Sequence, residues 1–174
     1  GHQDHSGWSF VFPKLIKNTE DPEQRKQIIG LGISWLKTHE ENSGWTFVFE
    51  KLIKIAEDPN QRKQVTGLGL SWLGGHEHKL AAVFVIQNLA DHVGDPEKLK
   101  AVIDIGITLL ETNAVHPKSH VILQKLPEHA EDPKQRDTLL RLGISWLDTN
   151  RQNPAWNQVW RYLIRIDKLH GQSR

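Results

Sequence analysis

Apolar residues recur along this chain with the three- and four-residue spacings that are typical of amphipathic helices. One such face is formed by Trp45, Val48, Phe49, Leu52 and Ile53. The stretch after Asp21-Pro22 differs, because its apolar residues at positions 28, 29, 31, 33, 35 and 36 cover more than one face. A helix of that kind is expected to pack on several sides. No segment alternates for long with the period of a strand, so the pattern predicts an all-α protein.

The pattern repeats at a constant interval. Asp21-Pro22 recurs at Asp58-Pro59, Asp95-Pro96 and Asp132-Pro133, a spacing of 37 residues from each pair to the next. A fixed period between about 20 and 50 residues indicates an array of structural repeats. The copies are residues 5–41, 42–78, 79–115 and 116–152, followed by a half repeat at 153–174, and we expect them to form a single domain over residues 1–174. The first two copies are identical at about two-thirds of their positions.

Each copy predicts two helices. Asp21 is a good N-cap, and Pro22 suits the first helical position. The array then predicts nine helices, at roughly 6–19, 22–38, 43–56, 59–74, 79–92, 96–112, 117–130, 133–148 and 154–168. A proline inside a helix costs about 3 kcal/mol. We therefore expect a kink or a late start at Pro13, and a shortened or bent helix at Pro127.

Gly32 and its copies Gly69, Gly106 and Gly143 lie in the middle of predicted helices. Glycine there costs about 1 kcal/mol relative to alanine. A glycine in all four copies predicts close approach of a neighbouring helix. A single hairpin of this size cannot bury its apolar face alone, so stacking of copies is expected.

The signature Leu31-Gly32-Ile33-Ser34-Trp35, with Asp-Pro after the next helix, resembles the tetratricopeptide repeat, whose first helix carries Leu-Gly-x-x-Tyr. The same signature stands at residues 68–72, 105–109 and 142–146. The chain departs from the family pattern in its longer period, in tryptophan for tyrosine and in a longer turn between the helices. The resemblance implies a right-handed solenoid of about four and a half helical hairpins. The tryptophan-rich module is also similar to repeat arrays that follow the ATPase core of bacterial STAND-type signalling and defence proteins.

Charge and composition narrow the function. Lys plus Arg (22) nearly balances Asp plus Glu (21), whereas general binding to nucleic acid or anionic lipid needs a basic stripe. We therefore expect nucleic acid to be an improbable partner and a membrane to be none, and we expect a cytoplasmic protein. There is no cysteine. No motif predicts a catalytic site, a metal site or a cofactor.

Two conspicuous residue types have a structural explanation. The seven tryptophans repeat with the module, so we expect them in the core rather than in an aromatic cage. His76-Glu77-His78 matches no metal-binding spacing, and we expect it in a solvated loop.

One polar stripe remains on the helix that follows each Asp-Pro pair. Positions 27, 30 and 34 share one helical face, and so do their copies. This partner-binding stripe consists of Gln27, Gly30, Ser34, Gln64, Gly67, Ser71, Asp104, Thr108, Thr138, Arg141 and Ser145, with Ala101 completing the pattern. In solenoids of the tetratricopeptide type the first helix lines the concave surface. The resemblance thus implies a non-enzymatic scaffold that binds a peptide or protein there. A solvated face, an RNA-binding array that reads one base per module and a sensor arm of a signalling ATPase are the alternatives.

The ends of the chain carry a further expectation. Residues 1–8 align, one period on, with the loop at 38–45, while the Asp-Pro pair due at 169–170 is replaced by Leu169-His170. We expect the C-terminal part of a larger protein, with Gly1-His2 as a possible cloning remnant. The apolar face beside Trp8 and Phe12 would then promote weak self-association.

Overall fold

The computed structural model of the protein describes residues 7–76, 79, 81–112 and 118–171. Every regular element within these residues is helical, which confirms the all-α prediction. The elements are α1 Trp8–Lys17, α2 Pro22–Thr38, α3 Trp45–Ile55, α4 Pro59–His76, α5 Ala82–His92, α6 Pro96–Thr112, α7 Ser119–Lys125, a 3₁₀ turn Leu126–Glu128, α8 Pro133–Thr149 and α9 Trp156–Gly171. The predictions for Gly1-His2 and for Glu77-His78 fall outside the described residues.

The even-numbered helices all begin at the proline of an Asp-Pro pair. The aspartate carboxylate accepts a backbone N–H of the first turn, which would otherwise lack a partner. These N–H groups belong to Glu23 for Asp21 (3.0 Å), Gln61 for Asp58 (2.9 Å), Glu97 for Asp95 (3.1 Å) and Lys134 for Asp132 (2.8 Å). The predicted start of these helices is therefore confirmed at the level of individual hydrogen bonds.

Two of the odd-numbered helices, α3 and α9, begin with a tryptophan that also closes the hairpin. The indole N–H of Trp45 donates to the carbonyl oxygen of Leu36 (3.0 Å), and that of Trp156 donates to Leu147 (2.8 Å). Both carbonyls lie near the end of the preceding helix, where no intrahelical partner exists. The tryptophan thus joins an odd helix to the even helix before it.

The chain divides into two compact units, residues 1–75 and 76–174. In the first unit α1 packs beside α3, and α2 contacts both. Helix α4 lies beside α2, where Gln61 Nε2 donates to the Lys26 carbonyl (3.1 Å). It also lies against α3, where Trp72 stacks on Trp45 with ring centroids 4.9 Å apart. The odd-numbered and even-numbered helices of this unit therefore form two layers.

The second unit repeats this arrangement. Helix α7 lies between α5 and α9, and α6 lies beside α8, while α5 contacts α6 and α8 contacts α9. Gln135 Nε2 donates to the Lys100 carbonyl (3.2 Å), as Gln61 does to Lys26 in the first unit. The same side chain at the same place in the repeat therefore joins neighbouring even helices in both units.

The mid-helix glycines lie where an odd helix crosses an even one. A Cβ atom added to Gly32 would lie 2.6 Å from the Phe12 ring and 3.1 Å from Leu52, and one added to Gly143 would lie 2.7 Å from Leu163. A Cβ at Gly106 would overlap the Leu126 side chain. Leu52, Leu126 and Leu163 occupy one repeat position, so the close approach predicted for these glycines is confirmed at three of the four copies.

Pro13 and Pro127, the two prolines expected to disturb a helix, have different effects on their helices. Helix α7 ends at Lys125 and gives way to a 3₁₀ turn that contains Pro127, so the predicted shortening is confirmed. Helix α1 begins at Trp8 and contains Pro13, so the alternative of a late start is wrong. Its register matches that of α3, which begins at the equivalent Trp45. Phe12, beside Pro13, is fully buried, as is the equivalent Phe49.

The tryptophans follow the core prediction in part. Trp35, Trp45, Trp72 and Trp146 are buried, while Trp8 and Trp156 are half-buried. Trp160 is 45% exposed, and this corrects the expectation that all seven belong to the core. It occupies the repeat position of the buried Phe12 and Phe49, and none of the described helices covers it.

Helix α1 exposes apolar residues at positions that are buried in α3. Val11 and Leu15 are 50% and 41% exposed, although the equivalent Val48 and Leu52 are fully buried. In α3 the Leu52 position packs against Gly32 of the preceding even helix. The apolar face of α1 is therefore the side that an even helix covers elsewhere in the repeat.

Candidate partner-binding surface

The predicted stripe lies on the even-numbered helices α2, α4, α6 and α8. Nine of its residues are exposed, and the other two, Gly30 and Thr138, are half-buried. Within each unit the even helices lie side by side, so the stripe residues belong to one layer of that unit. Their binding role stays a prediction.

The stripe of the first unit carries no charge and is open above its glycines. A Cβ added to Gly30 or Gly67 would have no atom within 4 Å. These glycines differ from Gly32, two residues along, which has no room for a methyl group. No packing contact therefore requires glycine at positions 30 and 67, and the open backbone there is accessible to a partner.

The stripe of the second unit is charged and partly bonded to its neighbours. The Asp104 carboxylate accepts a hydrogen bond from Gln135 Nε2 (2.6 Å), which joins α6 to α8. Arg141 forms an ion pair with Glu111 at 3.9 Å, and both side chains are mainly exposed. Asp104 therefore has a structural role that the sequence did not reveal, whereas Arg141 remains accessible.

Leu31 is a surface residue that the sequence placed in the core. It lies four residues after Gln27 and three before Ser34, and it is 57% exposed. The equivalent Leu68, Ile105 and Leu142 are half-buried. The expectation that every apolar position of this helix packs against a neighbour is therefore wrong for Leu31. In each copy an apolar residue lies beside the polar stripe, and its recurrence at one repeat position was the signal in the sequence.

An ionic cluster in the second unit also went unnoticed in the sequence. Lys125 Nζ lies 2.5 Å from Asp91 Oδ1 and 3.3 Å from Glu128 Oε1, joining α5 to the end of α7. The hydrogen bond to Asp91 raises the pKa of Lys125 above its ordinary value, and Glu128 adds to the effect. On α9, burial and then the Glu128 charge raise the pKa of the Tyr162 hydroxyl. Asp91 and Glu128 occupy one repeat position, so the period itself could have predicted their alignment.

The second unit also holds a pocket of about 300 Å³ beside the first turns of α6 and α8. Its polar lining includes Lys100, Asp132 and Gln135. Asp132 caps α8 and lies 4.0 Å from Lys100 Nζ, while Gln135 bonds to α6. These groups stabilise helix ends and helix contacts, and they do not form a nucleophile–base pair.

His76 corrects a further expectation. The sequence placed it in a solvated loop, but it is the last residue of α4 and is buried. The helix continues through Gly74 and Gly75 to His76. Across the described ranges, no three side chains of the His, Asp or Glu type come together as a metal site would require.

None of the described helices combines the length and the apolar character needed to cross a bilayer. Comparison with protein-family models, with curated proteins and with solved structures gave no match. The functional argument therefore rests on the chain's own repeat and on its surface.

Proposed function

We propose that this protein is a non-enzymatic interaction module that binds a peptide or protein on the stripe of its even-numbered helices. In this proposal the 37-residue modules stack as a right-handed solenoid of the tetratricopeptide-like class, with the even helices on the concave side. The two-layer packing in each unit and the glycine contacts at a fixed repeat position support such stacking.

One observation carries the functional part of the proposal. At the centre of the stripe the residue changes from Gly30 and Gly67 to Asp104 and Arg141, while buried positions beside it keep their apolar character. Variation over a constant scaffold is the arrangement of a surface that recognises a partner whose features differ along its length.

The chemistry of the stripe indicates the form of the partner. The first unit offers Gln27, Ser34 and the exposed Leu31, which suit a polar segment with an apolar anchor. The second unit offers Arg141 beside Glu111. Because few charges are involved, binding should depend only modestly on salt.

The proposal is tested by site-specific photo-crosslinking in a lysate of the cells that make the protein. A photoreactive amino acid replaces Ser34, Ser71, Thr108 or Ser145, which share one repeat position. The control position is Arg151, which is exposed in the loop after α8. We expect one protein to be crosslinked from several stripe positions and not from the control.

Crosslinked material that nuclease digests would support an RNA-binding array instead. Equal, weak crosslinking from the stripe and from Arg151 would show that the stripe is only a solvated face.

A further inference from the structure

The odd-numbered helices of the first unit carry a surface that core packing does not explain. Helices α1 and α3 present the same three residues at spacings of four and three, so that each triplet shares one face. This Phe–Lys face consists of Phe10, Lys14, Lys17, Phe47, Lys51 and Lys54. Phe10 is 74% exposed and Phe47 is 61% exposed.

The two phenylalanines are not part of the core of either helix. Phe12 and Phe49, two residues further along, are fully buried and fill the space between the layers. Since α1 packs beside α3, the two exposed rings lie on neighbouring helices, whose axes are typically about 8–10 Å apart. Exposed aromatic residues grouped in this way indicate an interaction site.

Charge is concentrated on the same helices. Together α1 and α3 carry four lysines and a single acidic residue, Glu50. Glu50 accepts a hydrogen bond from Lys54 (2.7 Å) and lies 3.8 Å from Lys51. The hydrogen bond with Lys54 holds the pKa of Glu50 below its ordinary value. The face as a whole therefore has an excess of positive charge around its aromatic rings.

The repeat supplies an internal comparison. In the second unit the equivalent positions of α5 read Phe84, Asn88 and Asp91, and those of α7 and the 3₁₀ turn after it read Val121, Lys125 and Glu128. There Lys125 forms ion pairs with Asp91 and Glu128, so the charged side chains at these positions neutralise one another. The combination of exposed phenylalanine with two lysines per helix is confined to the first unit.

We propose that the Phe–Lys face is a second docking surface, which binds an acidic peptide segment that carries apolar side chains. Carboxylates of the segment pair with the lysines, and its apolar side chains cover Phe10 and Phe47. A discrete segment fits better than an anionic lipid surface, because Glu20-Asp21 and Glu57-Asp58 lie in the short connections that follow α1 and α3. A charged plane would meet these carboxylates and Glu50 together with the lysines.

The test uses fluorescence anisotropy with a short fluorescein-labelled peptide in which glutamate alternates with phenylalanine and leucine. We expect saturable, salt-sensitive binding that is lost when lysine replaces glutamate in the peptide. The double variants Phe10→Ser/Phe47→Ser and Lys14→Glu/Lys51→Glu should each weaken binding roughly tenfold or more, a change of about 1.4 kcal/mol. Phe84→Ser, at the same repeat position in the second unit, should leave the affinity unchanged.

Circular dichroism of each variant verifies folding, which should persist because the altered side chains are exposed. No saturable binding below about 1 mM, or binding that survives both double variants, would overturn the proposal. So would binding to phosphatidylserine vesicles in place of the peptide, which would assign the face to a lipid surface.

Discussion

Gly30 and Gly32 lie two residues apart in α2 and should respond in opposite ways to the same methyl group. Alanine is favoured over glycine inside a helix by about 1 kcal/mol. At Gly30 a new Cβ meets no atom within 4 Å, so Gly30→Ala should gain most of that preference. Taking about 2–4 °C per kcal/mol for a chain of this size, its melting temperature should rise by about 2–4 °C.

Gly32→Ala has the same intrinsic preference but meets the core. Its Cβ would lie 2.6 Å from Phe12 Cε2 and 3.1 Å from Leu52 Cδ1, and both residues are fully buried. Inserting a methyl group into such a contact costs about 1–3 kcal/mol. The cost exceeds or cancels the helical gain, so the free energy of unfolding should lie about 1–3 kcal/mol below that of Gly30→Ala.

Thermal and urea unfolding followed by circular dichroism measure this difference. The double variant Gly32→Ala/Phe12→Leu supplies a second check, because the smaller side chain makes room for the methyl group and should restore part of the loss. If Gly32→Ala were as stabilising as Gly30→Ala, the close contact between α1 and α2 would be refuted.

Three further predictions concern the core, the ionic cluster and the first helix. Trp35→Ala should lower the free energy of unfolding by about 3–5 kcal/mol through the cavity it leaves; a loss below about 1 kcal/mol in urea unfolding would show that Trp35 is not core. The pKa of Tyr162 is raised in the fold. The contribution of this tyrosine to the free energy of unfolding is therefore present below about pH 10 and is lost as the pH rises above that value. Tyr162→Phe should therefore show a smaller fall in melting temperature between about pH 8 and pH 11, and equal falls would contradict the assignment. A copy of α2 fused ahead of the chain, with its glycine as far before Leu15 as Gly32 is before Leu52, should raise the melting temperature and reduce self-association in sedimentation. The control is a fused helix in which leucine replaces that glycine. An equal rise in melting temperature with the control would exclude specific packing on Val11 and Leu15.

The period made most of the helix boundaries predictable. The Asp-Pro pairs specify where α2, α4, α6 and α8 begin, because the cap and the ring both act within one turn. Gly32 and its copies predicted close helix contacts because a residue that is unfavourable inside a helix recurs there in all four copies. Local rules therefore sufficed wherever the cause lay within one helix or recurred in each copy.

The wrong predictions concern residues whose neighbouring helices or side chains differ from one copy of the repeat to the next. Trp160 repeats a core position, yet its exposure depends on whether another helix covers it, which no pattern within the module records. Leu31 has the apolar character of a core residue, but its place between Gln27 and Ser34 points it away from the neighbouring helices. The bond from Gln135 to Asp104 joins residues 31 positions apart, and local periodicity does not predict such a pair. His76 was misplaced because it shares the repeat position of His39, which lies just after the end of α2, whereas α4 extends to His76 itself.

The affinity of the crosslinked partner for a protein with an obstructed stripe is the most direct test of the proposed function. Gly67→Arg adds a long side chain where a Cβ meets nothing within 4 Å, and it replaces a poor helix former with a good one. Gly94→Arg, in the exposed loop between α5 and α6, makes the same exchange at another open glycine. Isothermal titration should show that Gly67→Arg weakens binding roughly tenfold or more without loss of stability, while Gly94→Arg binds as the unaltered protein does. Unchanged affinity in Gly67→Arg would contradict the claim that partners bind on the even-numbered helices.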